Sequence, residues 1–265
     1  MKIGFIGSGN MASALANGFI SSKKVLPGDV FISSRTAETL EKWENTGVNT
    51  TLDNKVVCQE CDFVIFAVKP NVLPLVLNET KALLKNKLVI SIAAGTTIKT
   101  MEGILGSDAK IIRCMPNTPA QVGCGMTVMA PNSFVSQSEA EEARELFDSV
   151  GRAIILDEKY INAATALHGS SPAYVYMMIE AMANSGVKYG IPKNISIALA
   201  AKAVEGAAKM VLETNRHPAE LKDAVCSPGG TTIAAVMELE NNGFLSSISS
   251  AIDACIKKAD EMSKN

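Results

Sequence analysis

Two hydrophobic patterns alternate along the chain as far as about residue 158. Short runs that are apolar throughout predict strands at 2–7 (KIGFIG), 29–33 (DVFIS), 62–68 (DFVIFAV) and 87–93 (KLVISIA). Further strands are predicted at 110–115 (KIIRCM), 125–130 (GMTVMA) and 152–156 (RAIIL). Between the first two, Met11, Leu15, Gly18 and Phe19 recur at helical spacing over 10–22. The charged stretch 36–46 predicts a surface helix, and Ser136 with Glu139 forms a capping-box pattern that starts another. Strands that are apolar on both faces and alternate with helices predict an α/β fold with a mostly parallel sheet, covered on both sides.

Beyond residue 158 the strand pattern stops. Helical patterns run through 159–168, 172–188, 193–214, 218–225, 231–241 and 245–262. The stretch 195–212 is dominated by Ala with Gly, residues that favour helix and let neighbouring helices approach closely. Met177, Met178 and Met182 read as core packing. The expected division is therefore 1–158 and 159–265. Helices this apolar are expected to bury some of their surface against a second copy of the chain.

Composition narrows the function classes. The chain has 265 residues, 47% hydrophobic but only 5% aromatic, with a formal net charge of -2. That balance disfavours disorder, and no face can be strongly basic without an acidic counterpart, so nucleic acid is not an expected partner. No apolar run approaches the ~18 residues of a membrane span. The strand pattern beginning at Lys2 is expected to leave no room for an export segment, so a cytoplasmic protein is expected. In that compartment the six cysteines are expected to be reduced thiols buried as small hydrophobes. Cys58 and Cys61 form a lone CxxC without a second pair, which argues against a metal site.

The residues Gly7-Ser8-Gly9-Asn10-Met11-Ala12 match G-x-G-x-x-G/A in the required context, after a strand and opening a helix. Gly7 permits the tight turn, Gly9 lets backbone approach a pyrophosphate, and Ala12 lets the helix pack close to the strand. The helix start offers N–H groups to phosphates. An NAD site usually has a carboxylate at the end of the second strand. Here the residues are Ser33, Ser34 and Arg35, two hydroxyls and a guanidinium, which suit a 2′-phosphate. NADPH is the expected cofactor, with NADH possible.

Further candidate segments are Ala67-Val68-Lys69-Pro70, Ser91-Ile92-Ala93-Ala94-Gly95 and Arg113-Cys114-Met115-Pro116-Asn117-Thr118-Pro119. Each follows a predicted strand, at the edge where open α/β sheets bind ligands. Ser227-Pro228-Gly229-Gly230-Thr231-Thr232 precedes a helix and can form a nest of backbone donors and hydroxyls for a carboxylate.

Together these segments, with SPAYVY at 171–176 and the run from Leu221 to Glu240, resemble the pyrroline-5-carboxylate reductases over nearly the whole chain. The resemblance implies a Rossmann-type doubly wound sheet followed by an all-helical dimerisation domain, often in a larger ring of dimers. It implies NAD(P)H-dependent reduction of 1-pyrroline-5-carboxylate to L-proline. It also implies that Ser227, Gly229, Gly230, Thr231 and Thr232 bind the substrate, and that Val68, Lys69, Pro70, Ala93, Ala94 and Asn117 border the nicotinamide. Thr232 and Lys69 are the candidate catalytic residues. The chain departs from the family at His168 and Ser171, which replace smaller residues. His168 reads as a hydrogen-bonded structural group or a proton relay. A β-hydroxyacid dehydrogenase, the main alternative, needs a Lys with Asn four residues later. Lys159, Lys188, Lys193, Lys202 and Lys209 all lack that Asn. A non-catalytic NADP-binding sensor would need no carboxylate nest.

Overall fold

Eight strands form one sheet: β1 (Ile3–Ile6), β2 (Val30–Ser33), β3 (Asn49–Thr51), β4 (Phe63–Phe66), β5 (Leu88–Ser91), β6 (Lys110–Met115), β7 (Gly125–Pro131) and β8 (Gly151–Ile155). Their order in the computed structural model is β3-β2-β1-β4-β5-β6-β7-β8, and residues 1–264 are described. The first six strands are parallel, β7 runs antiparallel to β6, and β8 is parallel to β7. Only nine residues separate β6 from β7. That is short of the dozen or so a parallel crossover needs, so β7 returns antiparallel.

Side-chain alternation splits the core into two layers. Ile3, Phe5, Phe63, Ile65, Leu88 and Ile90 point to one face. There they meet Leu15 and Phe19 of α1 (Asn10–Ser21) and Leu146 and Phe147 of α5 (Gln137–Asp148). Ile6, Val64, Phe66 and Val89 point to the other. They meet Val57 of α2 (Asn54–Glu60), Leu73 and Leu77 of α3 (Leu73–Thr80), and Met101 of α4 (Ile98–Leu105). Burial on both faces is why these strands carry no polar alternation.

Two compact units divide the chain: Met1–Ser170 with Cys255–Asn265, and Ser171–Ala254. The first differs from the expected 1–158 in extending through α6 (Ile161–Ala164) and a π turn (Thr165–Gly169). Buried Arg113 of β6 explains the extension, since its guanidinium donates to Glu158 Oε1 and Asn162 Oδ1, each at 3.0 Å. Asn162 in turn donates to Asp260 Oδ1 at 2.9 Å, which ties the end of the last helix into the same unit. Asn265 lies outside the described residues.

The second unit is helical. It holds α7 (Ser171–Lys188), α8 (Lys193–Thr214), α9 (Pro218–Ala224), α10 (Thr231–Asn241) and the start of α11 (Phe244–Lys264). Helices α7 and α8 approach closely where Ser196 donates to Ala183 O at 2.7 Å. A Cβ at Gly186 would sit 2.0 Å from that Ser196 hydroxyl. Among the described residues of this unit, the buried ones are Ala183, Ser196 and Ala200.

Four expectations need correction. Met177 and Met182, read as core packing, are exposed and Met178 is half-buried, because the helical unit buries few of its own side chains. Residues 36–46 hold a 3-10 segment (Glu38–Trp43) rather than an α-helix. Its i, i+3 side chains eclipse, which sends Leu40 and Trp43 together into the core. Residues 159–168 are a 3-10 turn, one α turn and the π turn, not one helix. Cys58, Cys61 and Cys114 are buried, but Cys124 is exposed and Cys226 and Cys255 are half-buried.

Candidate functional site

The parallel register brings four strand ends to one level: Ile6 lies beside Ser33 and Phe66, and Phe66 beside Ser91. The loops after β1, β2, β4, β5 and β6 therefore emerge at one edge. Between β1 and β4 the chain order reverses, which is the switch point where such sheets bind dinucleotides.

At that point Gly7 has φ +107°, and a Cβ there would lie 2.7 Å from Ala67 O. Its N–H donates to Ser33 O at 3.0 Å, tying the turn to β2. Gly9 N-caps α1 with no side-chain cap bond, and nothing lies within 4 Å of where its Cβ would stand. An uncapped helix start behind open space suits a phosphate. Asn10 and Met11 begin the helix beside it.

Sequence reasoning missed how this turn is braced. Ser8 is buried; its hydroxyl donates to Thr39 O at 3.0 Å and accepts from Trp43 Nε1 at 3.3 Å. Lys42 donates to Ser8 O and Ser13 Oγ, each at 2.7 Å. Burial pulls the Lys42 ammonium below its usual range. All three residues come from the 3-10 segment, whose charged sequence read only as surface.

At the end of β2, Ser33 is fully buried and its hydroxyl donates to Asn54 Oδ1 at 2.8 Å. It faces the core rather than the edge. Ser34 is half-buried, with its hydroxyl against Thr39 Oγ1, and Arg35 is exposed. Past β4, Val68 is half-buried while Lys69 and Pro70 are exposed, and Lys69 O accepts from Val72 N and Leu73 N. Past β5, Ala93 is buried and Ala94 half-buried.

Past β6, Asn117 is 8% exposed and engaged at both ends. Its Nδ2 donates to His168 O at 2.9 Å, and its Oδ1 accepts from Met126 N at 2.8 Å. The His168 ring lies between two carbonyls, Nδ1 2.6 Å from Ala164 O and Nε2 2.8 Å from Met115 O. Each contact forms only through a nitrogen that carries its proton.

In the helical unit, Ser227-Pro228-Gly229-Gly230 makes a turn closed by Gly230 N–H to Ser227 O at 3.0 Å. Gly229 at φ +66° takes the position where such a turn needs glycine. Gly230 N-caps α10 without a side-chain cap bond. Ser227, Gly229, Thr231 and Thr232 are exposed. This is a second helix start left open to an anion, with two hydroxyls in its first turn.

Among the described residues no group of three or more His, Cys, Asp or Glu is placed to hold a metal ion. None of the helices there is long and apolar enough to cross a membrane.

The strand order, the glycine turn at the switch point and the open start of α1 define a Rossmann-type oxidoreductase. Residues 2–95 match the family model described as NADP oxidoreductase, coenzyme F420-dependent. Residues 158–262 match the model for pyrroline-5-carboxylate reductase dimerisation. The chain is 44% identical over 266 residues to a pyrroline-5-carboxylate reductase of Escherichia coli (strain K12), covering 100% of this chain and 99% of that one. A solved pyrroline-5-carboxylate reductase from Coxiella burnetii superposes with TM-score 0.93 at 35% identity, covering 100% and 99%. The Plasmodium falciparum pyrroline carboxylate reductase solved with NADP bound gives 0.91 at 34% identity, covering 99% and 98%. The chain belongs to the pyrroline-5-carboxylate reductase family.

Proposed function

We propose that the protein reduces the C=N bond of 1-pyrroline-5-carboxylate to L-proline with NADPH, closing proline biosynthesis. The observation that carries this reading is the pair of uncapped helix starts behind glycine turns. One suits a cofactor pyrophosphate and the other a substrate carboxylate. When bound, NADPH supplies the hydride. Gly7, Gly9, Asn10 and Met11 hold its phosphates, with Ser34 and Arg35 at the 2′-phosphate. Ser33 supports that loop from the core. Val68, Lys69, Pro70, Ala93, Ala94 and Asn117 border the nicotinamide, with Lys69 the charged group among them.

Ser227, Gly229, Gly230, Thr231 and Thr232 receive the carboxylate and ring nitrogen. Few strong acids are needed. A cyclic imine is basic enough to be partly an iminium near neutral pH, and that cation accepts hydride readily. Anchoring and orientation then supply most of the rate. Thr232 orients the ring nitrogen through its hydroxyl. The unit that holds the sheet serves the cofactor, and the helical unit Ser171–Ala254 serves the substrate and dimerisation. The protein works in the cytoplasm as a homodimer, which assembles into a larger ring of dimers.

Spectrophotometric NADPH oxidation with pyrroline-5-carboxylate tests this, with NADH in parallel. Turnover that depends on the imine, and is faster with NADPH, is expected. No imine-dependent oxidation with either cofactor would remove the reading.

A further inference from the structure

His168 reaches both sides of one turn. Its ring contacts Met115 O at 2.8 Å, and its own carbonyl accepts from Asn117 Nδ2 at 2.9 Å. Between those two residues lies Pro116, which has no N–H to pin the turn itself. The far end of the Asn117 side chain accepts from Met126 N at the start of β7. A single residue thus fixes the end of β6, the Asn117 amide and, through it, the next strand.

The π turn makes this reach possible. Ser170 N–H bonds to Thr165 O, five residues back, at 3.0 Å, and Thr165 Oγ1 bonds to Ile161 O at 2.7 Å. Widening the turn directs the His168 ring and carbonyl to the same strand end, and π turns cluster at functional sites. On the other side of the ring Nδ1 lies 2.6 Å from Ala164 O, and the tautomer with its proton on Nε2 is the one that donates to Met115 O. A smaller side chain at 168 could not span from its own helix to Met115.

The turn in question lies on the half of the sheet formed by β4, β5 and β6. If Ser34 and Arg35 take the 2′-phosphate on the other half, this half receives the nicotinamide. We infer that His168 is a positioning residue for the nicotinamide, setting its angle through Met115, Pro116 and Asn117 without touching it. This rests on the cofactor placement proposed above.

The test compares the wild-type protein with His168→Ser, His168→Gln, Asn117→Ala and the double variant His168→Ser/Asn117→Ala. Gln retains an N–H that can reach a carbonyl. We expect His168→Ser to lower kcat about tenfold, as expected of a sub-ångström misplacement. Pyrroline-5-carboxylate KM should stay within about twofold, and Gln should recover most of the rate. If His168 acts through the turn, the double variant should be little slower than the slower single one, because coupled residues are not additive. Bound NADPH gives a second readout that needs no substrate: its nicotinamide fluorescence should differ between wild type and His168→Ser at equal saturation. Full kcat in His168→Ser, multiplying effects in the double variant, or an unchanged nicotinamide spectrum would each overturn the inference. If His168→Ser fails to fold, His168→Asn, too short to reach Met115 O, takes its place: a lower kcat with an altered nicotinamide spectrum supports the inference, and the wild-type rate and spectrum overturn it. Absence of imine-dependent turnover in the wild type would strike the proposed function instead, leaving the spectrum to judge His168.

Discussion

At the scale of single residues the site depends on hydroxyls and on one exposed guanidinium. Arg35 is exposed at the end of β2, and its proposed task is to hold the 2′-phosphate. A charge-assisted contact at such an open position is worth about 1.5 kcal/mol, so Arg35→Ala should raise the NADPH KM about tenfold and leave the NADH KM nearly unchanged. Equal changes for both cofactors would take the residue out of 2′-phosphate recognition. Thr232→Ala should lower kcat by about 10²-fold at most, the low end of acid–base effects, and full activity would remove it from the mechanism. The cysteines divide more sharply. Burial pushes the Cys58 thiol up to about 11 and Cys61 up to about 12, and raises Cys114 further. Thiolate is the reactive form, so these three should resist alkylation of the native protein. Exposed Cys124 should be labelled first, which peptide mapping after a short iodoacetamide pulse reads directly. Modification of Cys58 or Cys61 ahead of Cys124 would mean that α2 opens in the native state.

At the scale of elements, the capping box of α5 was legible in the sequence, but not its partner across the sheet. Ser136 and Glu139 exchange the paired bonds that the pattern predicts. Lys110 of β6 also donates to Glu139 Oε1 at 2.6 Å. That lysine contact, with the Ser136 bonds, holds the Glu139 carboxyl at about 2, well below the usual glutamate range. A carboxyl depressed in the folded state stabilises above its unfolded value, and that contribution is lost as pH falls. Thermal melts should therefore show Glu139→Gln losing its difference from wild type between about pH 4.5 and pH 2, while remaining less stable near neutrality. A difference independent of pH would mean the contact contributes no net stability. The strands legible in sequence were those apolar on both faces. Edge strand β3 reads Asn-Thr-Thr and is exposed or half-buried, so hydrophobicity gave it no signal. The antiparallel turn of β7 had a signal in its short connection, which a pattern reading by strand alone passes over. In the site, the glycine turns and the strand-end segments were legible because backbone constraint writes itself into Gly and Pro. The bracing of Ser8 by Trp43 and Lys42, and of Asn117 by His168, was not. Those contacts join residues 34 to 51 positions apart, and no local pattern encodes them.

At the scale of the whole molecule, the helical unit does not bury itself. Only Ala183, Ser196 and Ala200 are buried among its described residues. Met177 at 70%, Leu199 at 58%, Leu212 at 66% and Leu245 at 67% exposure are far from what a folded helical layer leaves open. Residues 158–262 match a dimerisation family, and the exposed apolar side chains are what such an interface would cover. In a two-fold interface each substitution counts twice, because the same patch serves both copies. Burying a leucine contributes about 2 kcal/mol, so Leu199→Glu on α8 should cost about 4 kcal/mol per dimer, roughly a thousandfold in Kd. Sedimentation at micromolar protein should then show the wild-type dimer and a largely monomeric variant. The wild-type Tm should rise with protein concentration, since association stabilises only the folded chain. A substitution at a position that stays solvent-exposed would change stability by less than about 0.5 kcal/mol. If Leu199→Glu sediments and melts like the wild type, this face of α8 lies outside the interface; if the wild type is itself a monomer with a concentration-independent Tm, the dimer reading fails altogether.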